Sequence, residues 1–206
     1  MAALPQGFRA SGIPAGLKSS GAKDIALIVN DGPDRFGTAV FTSNQIVAAP
    51  VTWSHHVVKD NEVSAVLLNS GGANACTGPA GFADTHRSAE LVAEKLNLSS
   101  SDVGICSTGL IGIRLPMEKV ESGIDQAIRD LSPNGLQSAA EAIMTTDSRP
   151  KISTHQSGEV QCSGIAKGAG MLAPSLATML SVIMTDAKVD SIKAVEIFRE
   201  VCEKTF

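Results

Sequence analysis

The 206-residue sequence has no tyrosine, one tryptophan and six phenylalanines, so aromatic residues make up only 3% of it. Base-stacking surfaces and carbohydrate platforms lean on aromatic rings, and both are disfavoured by this poverty. There is no cluster of basic residues. With 17 Lys and Arg against 21 Asp and Glu the formal net charge is −4, so the footprint of a nucleic-acid partner is missing. The four cysteines, Cys76, Cys106, Cys162 and Cys202, form no C-x-x-C pair, which argues against a zinc or redox site. They read as small buried thiols in a reducing cytoplasm. The opening "MAALPQGFRASG" lacks a basic start followed by an apolar core, so no secretory signal is expected.

What the chain does have is 43% hydrophobic and only 18% charged residues, enough for a sizeable core without cross-links, and 19 glycines, which imply many tight turns. No charged residue falls between Lys167 and Asp186. A membrane span needs about 20 mostly apolar residues. Here Gly168, Gly170 and Pro174 break the first half, while Thr178 and Ser181 interrupt the second, so no membrane crossing is expected. Gly168, Gly170 and Ala173 fit the loose dinucleotide pattern G-x-G-x-x-A, but that motif opens a helix, and Pro174 followed by the strand-like "LATMLSVI" does not supply one.

Hydrophobic periodicity predicts alternating strands and helices. "DIALIVND" reads as a buried strand, with "GTAVFT" (Gly37–Thr42) as its antiparallel partner. "VSAVLLNSGGAN" and "DVGICSTGLIG" are strands that run into loops of small residues. "GFADTHRSAELVAEKLNL" is helical, with Ala89, Val92, Ala93 and Leu96 on one stripe. A second helix places Met117, Val120, Ile124, Ile128 and Leu131 at helical spacing after Pro116, and "QSAAEAIM" is a short third. "PKISTHQSGEVQCSG" is a hairpin turning at Ser157-Gly158, Leu176–Asp186 a buried strand, and Asp190 the cap of a last helix. Antiparallel hairpins beside alternating elements favour a layered α/β or α+β domain with mixed sheets over a doubly wound parallel one.

Candidate chemistry is sparse. His55 and His56 are adjacent, and His86 and His155 lie far away in sequence, so no metal site is supported. Cys106 ends a strand, but no histidine is placed by sequence to activate it. From spacing alone the Cys106–Gly109 run reads first as an ordinary strand-to-loop turn; the alternative is that the amides near Thr108 and Gly109, with the Thr108 hydroxyl, steady a developing oxyanion. Thr178 reads as a β-branched core residue. If the peptide bond before it were cut, its new α-amine would act as the base for its own hydroxyl, and the small Ala177 leaves that site unobstructed.

Four segments, "NSGGANACTGPAGFADTH", "CSTGLIG", "AIMTTD" and "KGAGMLAPSLATML", in this order and at these distances, resemble the ornithine acetyltransferase family, also called the glutamate N-acetyltransferase or ArgJ family. The resemblance runs from about Gly7 to Phe206. It implies a precursor that cuts itself between Ala177 and Thr178 into α and β chains that stay together, with an α2β2 heterotetramer as the family's assembly. It further implies a ping-pong transfer in arginine biosynthesis. The N-terminal threonine, here Thr178, takes acetyl from N2-acetylornithine and passes it to glutamate; some members also accept acetyl-CoA, and no cofactor is required. On this sequence the resemblance makes Thr178 the nucleophile, Thr108 and Gly109 the oxyanion hole, and Thr145 and Lys167 substrate contacts, with no metal.

The same resemblance divides the chain into an α-chain region, 1–177, and the start of a β-chain region, 178–206. Family members continue for about as many residues again, and that part carries a glutamate and polar residues for substrate. The chain is therefore expected to be an incomplete piece of the fold. A self-processing aminopeptidase or amidase, which shares the N-terminal-nucleophile logic, and an inactive fragment are the competing expectations.

Overall fold

The computed structural model describes residues 3–170 and 178–205. Its first sheet has the order β1(Phe8–Ile13), β2(Ile25–Asn30), β3(Ala65–Asn69), β4(Val103–Ser107). The first two pairings are antiparallel and the last is parallel. A parallel pair needs a crossover, and α2(Gly78–Leu96) provides it. The second sheet is antiparallel, in the order β5(Lys151–Ser157), β6(Val160–Lys167), β7(Leu180–Thr185). The other helices are α1(Ala49–Val57), α3(Met117–Arg129), α4(Leu136–Ala142) and α5(Ser191–Thr205). The mixed sheets and helices form the layered α/β architecture expected from the sequence.

The first sheet is covered on both sides, which explains why β2 is a continuous apolar run. Ile25, Leu27 and Val29 point to one face, where they pack with Ala65 and Leu67 of β3, Val92 of α2 and Ile124 of α3. Ala26 and Ile28 point to the other, against Leu136, Ala139 and Ile143 in and just after α4, and against Ile165 and Met184 of the second sheet. The predicted stripes hold: Ala89, Val92 and Ala93 are buried, as are Val120 and Ile124. At the head of α5, Asp190 Oδ1 accepts from the Lys193 amide at 3.0 Å, the cap expected there.

Three sequence expectations are corrected. Gly37–Thr42 is not a strand; only Phe36 makes an isolated bridge, to Glu62. Both edges of β2 are already occupied by β1 and β3, so no ladder is left for it. The true partner, β1, has the sequence FRASGI and lacks apolar alternation because α4 presses on it. A Cβ added at Gly12 would lie 1.9 Å from the Ser138 carbonyl oxygen. Second, α1 was not expected. It closes the open edge of β4: Ser54 Oγ donates to the Ile105 carbonyl at 2.8 Å and accepts from its amide at 3.0 Å, while Trp53 Nε1 donates to the Val103 carbonyl at 2.9 Å. Third, β7 is an edge strand rather than a buried one. Met184 is enclosed, but Ile183 faces outward. Leu176 and Ala177, at the start of the expected strand, lie outside the described residues.

Candidate active site

The parallel strands β3 and β4 end side by side, with Asn69 opposite Ser107. Asn69 Nδ2 donates to Ser107 Oγ at 2.6 Å, and the Asn69 carbonyl accepts from the Thr108 amide at 3.0 Å. The two following loops are then laced together. Ala73 N donates to the Leu110 carbonyl and Gly112 N to the Ala75 carbonyl, each at 2.9 Å. Gly109, at φ +136°, passes so close to its neighbour loop that a Cβ there would lie 2.8 Å from Gly72 N. Only glycine fits that approach, which is why small residues fill both segments.

Lys167, the last residue of β6, reaches this point from the second sheet. It is 4% exposed, and its Nζ donates to Thr108 Oγ1 at 3.0 Å and to the Thr178 carbonyl at 3.0 Å. Thr108 itself is 2% exposed. Its hydroxyl oxygen accepts from Lys167, so the hydroxyl proton is directed elsewhere and is available to a ligand. The expectation for the Thr108 amide is revised, because that N–H is engaged with Asn69. Of the donors expected for an oxyanion, the Thr108 hydroxyl and the Gly109 amide are left, the latter without a backbone acceptor among the described residues.

Thr178 is exposed and precedes β7, so it is not the core residue that its β-branched side chain suggested. Ala177 lies outside the described residues. Thr145 is also exposed, and its amide donates to Asp147 Oδ2 at 3.2 Å. The same carboxylate accepts from Gly168 N at 2.8 Å through Oδ1, which brings Thr145 to the end of β6 beside Lys167.

The electrostatics follow from burial. Desolvation pushes the Lys167 ammonium below the ordinary lysine value; Asp147 opposes this and Lys151 adds to it. Lys18 is shifted down too, chiefly by desolvation, and its Nζ donates to the Lys23 carbonyl at 2.7 Å and the Met144 carbonyl at 2.8 Å. Its loop is held by the fully buried Asp24, whose carboxylate accepts the amides of Ala15, Leu17 and Lys18. Burial pushes the Cys106 thiol up to about 12, so it is a poor nucleophile here. Contrary to the expectation of four buried thiols, only Cys202 is buried; Cys76 is exposed, and Cys106 and Cys162 are partly buried. His55 stacks on Phe41 and His86 sits against Trp53. No grouping of three or more His, Cys, Asp or Glu is placed to hold a metal among the described residues.

Sequence reasoning missed Asp147, Lys18, Asp24 and Asn69. Asp147 closes the "AIMTTD" segment and Asn69 opens "NSGGAN", so both lay inside segments already singled out. Nothing in the sequence tied Lys18 and Asp24 to them.

A family model described as the ArgJ family matches residues 9–206. The arginine biosynthesis bifunctional protein ArgJ of Thermobifida fusca is 51% identical over 202 residues, which are 98% of this chain and 53% of that protein. Its counterpart in Streptomyces avermitilis is 56% identical over 185 residues, 90% of this chain and 48% of that protein. The chain thus spans about half the length of the curated relatives it matches. Among solved structures, ornithine acetyltransferase from Mycobacterium tuberculosis, complexed with ornithine, aligns with a TM-score of 0.77 and 45% identity. That alignment covers 87% of this chain and 96% of the mycobacterial one.

Proposed function

This chain belongs to the ArgJ family, and from that premise we propose that it carries the nucleophile and oxyanion hole of an acetyltransferase of arginine biosynthesis. The observation that carries the proposal is the meeting of Lys167 Nζ, Thr108 Oγ1 and the Thr178 carbonyl at 3.0 Å separations. The substrates are N2-acetylornithine and glutamate; acetyl-CoA is an alternative donor, and no cofactor takes part.

In the first step the Thr178 hydroxyl attacks the Ala177 carbonyl, and the resulting ester is hydrolysed. This leaves a carboxylate on Ala177 and a free α-amine on Thr178. Residues 1–177 and the part beginning at Thr178 then act as α and β chains, assembled as α2β2 in the cytoplasm. A length comparison supports the cut. The crystallised mycobacterial chain is almost fully covered by this one, whereas the curated relatives are covered to about half. A polypeptide divided near Thr178 would leave a chain of that size.

In the transfer itself the Thr178 amine accepts the hydroxyl proton as Oγ attacks the acetyl carbonyl of N2-acetylornithine. The Thr108 hydroxyl and Gly109 amide donate to the oxyanion. Collapse returns the proton to the departing ornithine amine and leaves acetyl-Thr178. The glutamate amine attacks this ester, and the same groups act in reverse. Thr145, an exposed residue, contacts substrate. Lys167 contacts substrate through its third N–H while it holds Thr108 and the nucleophile's own backbone in place.

The test is intact mass followed by assay of the full-length protein. A break before Thr178, with acetylglutamate formed from acetylornithine and glutamate, is the expected result. An uncut chain, or release of free acetate alone, overturns the proposal; free acetate would point to an amidase.

A further inference from the structure

Asp147 has a side chain only 1% exposed, yet it lies in no helix or strand. Its carboxylate joins three pieces of chain. Oδ2 accepts the Thr145 amide of its own loop, and Oδ1 accepts both the Lys151 ammonium at the start of β5 and the Gly168 amide just past β6. The β6 ladders end at Lys167, which pairs with Leu180, and at Ala166, which pairs with Lys151. Gly168 continues at φ +147°, outside both ladders. The chain leaving Lys167 is therefore held by a side chain rather than by a strand partner.

We infer that Asp147 is a positioning residue for Lys167. It fixes the backbone on the far side of that lysine and supplies the negative charge that balances its enclosed ammonium, so that the ammonium holds the Thr108 hydroxyl and the Thr178 carbonyl together. The charged groups acting on Lys167 are Asp147 from the loop after α4 and Lys151 from β5; Lys18, from the loop between β1 and β2, is repelled by the same ammonium. The contacts from the β4 end and from the residue pair before β7 are the uncharged oxygens of Thr108 and Thr178; after the proposed cut the Thr178 α-amine is a further titratable group on that segment, common to all the variants compared below. The arrangement has a signed consequence. Removal of Asp147's charge lowers the pH at which Lys167 loses its proton, and removal of Lys151's charge raises it. A carboxylate that merely clamped the β5–β6 hairpin would affect stability without producing this opposed pair.

The kinetic readout rests on the acetyl-transfer proposal, whereas the titration does not. The experiment compares wild type, Asp147→Asn and Lys151→Met in the full-length protein. Titration of Lys167 is followed by NMR of ¹³Cε-labelled lysine, its signal assigned with Lys167→Met. The expected result is a lower midpoint in Asp147→Asn and a higher one in Lys151→Met, with the alkaline limb of kcat moving the same way in each. Asp147→Asn, which keeps an acceptor for Gly168 N, should also lose roughly 10- to 100-fold in kcat through misplacement of Lys167. Unmoved midpoints, or shifts of the same sign, overturn the inference. If Asp147→Asn does not fold, Lys151→Met decides alone, and a lowered or unchanged midpoint is the overturning result. If wild type makes no acetylglutamate, the function proposal fails while the titration still judges Asp147.

Discussion

Lys167 Nζ donates to Thr108 Oγ1 at 3.0 Å, and the two residues come from different sheets: Thr108 follows β4 of the first and Lys167 ends β6 of the second. The candidate site is thus a seam. Its geometry depends on the packing of one sheet on the other through Ile28, Leu68, Ile165 and Met184.

Thr108→Ala removes both a proposed oxyanion donor and the acceptor for Lys167. Acetyl transfer should fall by about 10²- to 10³-fold in kcat. The cut before Thr178 should slow as well, because its tetrahedral intermediate needs the same donors. Thr108→Ser restores a hydroxyl and should recover most of both rates. Maturation is followed by mass over time, and wild-type maturation of the alanine variant would sink the shared use of these donors.

Lys167 gives activity and stability opposite dependences on pH. Burial lowers its pKa from the ordinary 10.5, so the charged form proposed to act at the site is lost as pH rises, beginning below the usual lysine range. The unfolded chain keeps that proton longer. Between the lowered value and 10.5, this group's contribution to stability therefore increases with pH. Across this alkaline window kcat should fall in wild type. The stability difference between wild type and Lys167→Met, read from urea denaturation, should shift in favour of wild type. A kcat that stays flat through the window would remove the need for a charged Lys167.

Gly12→Ala should destabilise the fold by roughly 3 kcal/mol, the upper range for overpacking. The new methyl would meet the Ser138 carbonyl oxygen at 1.9 Å and Ala139 N at 2.7 Å, both backbone atoms that cannot rotate away. Urea denaturation measures the loss. A variant as stable as wild type would mean that β1 and α4 are not in this contact.

The cysteines should separate by reactivity. Cys76 is exposed, whereas burial holds the Cys106 thiol up to about 12. At pH 8 a disulfide reagent should label Cys76 quickly and Cys106 only on unfolding. Cys76→Ser should remove the fastest phase, leaving slower labelling of the partly buried Cys162, and fast labelling of Cys106 in that variant would contradict its raised pKa.

The elements readable from the sequence were those whose burial writes a period into it. The stripes of α2 and α3, and the doubly covered β2, are of this kind. β1 was unreadable because its neighbours, not its own side chains, make it a strand; a strand with Ser11 and Gly12 at its centre shows no apolar alternation. α1 was unreadable because its work is done by Trp53 and Ser54 bonding an exposed strand edge. The candidate site residues Thr108, Gly109, Thr145, Lys167 and Thr178 came from resemblance, since no spacing rule joins residues on two sheets. Asp147 escaped even so: Thr145 and Lys151 are local to it, but the Gly168 amide that ties it to the end of β6 becomes its neighbour only after the β5–β6 hairpin folds back.

The β6–β7 ladder pairs six residues, Cys162 to Lys167 against Leu180 to Thr185, and the proposed cut falls between these two strands. Breaking the Ala177–Thr178 bond would turn a hairpin into two polypeptides stitched edge to edge, with every rung of the stitch intact. Hydrogen bonds and the shared apolar face, no longer a covalent tether, would then be what keeps the nucleophile beside its oxyanion donors. Such a molecule would migrate as one body in a native gel and as two bands in detergent. Its halves, once parted by denaturant, would have to find each other in a second-order reaction that the uncut precursor never faces.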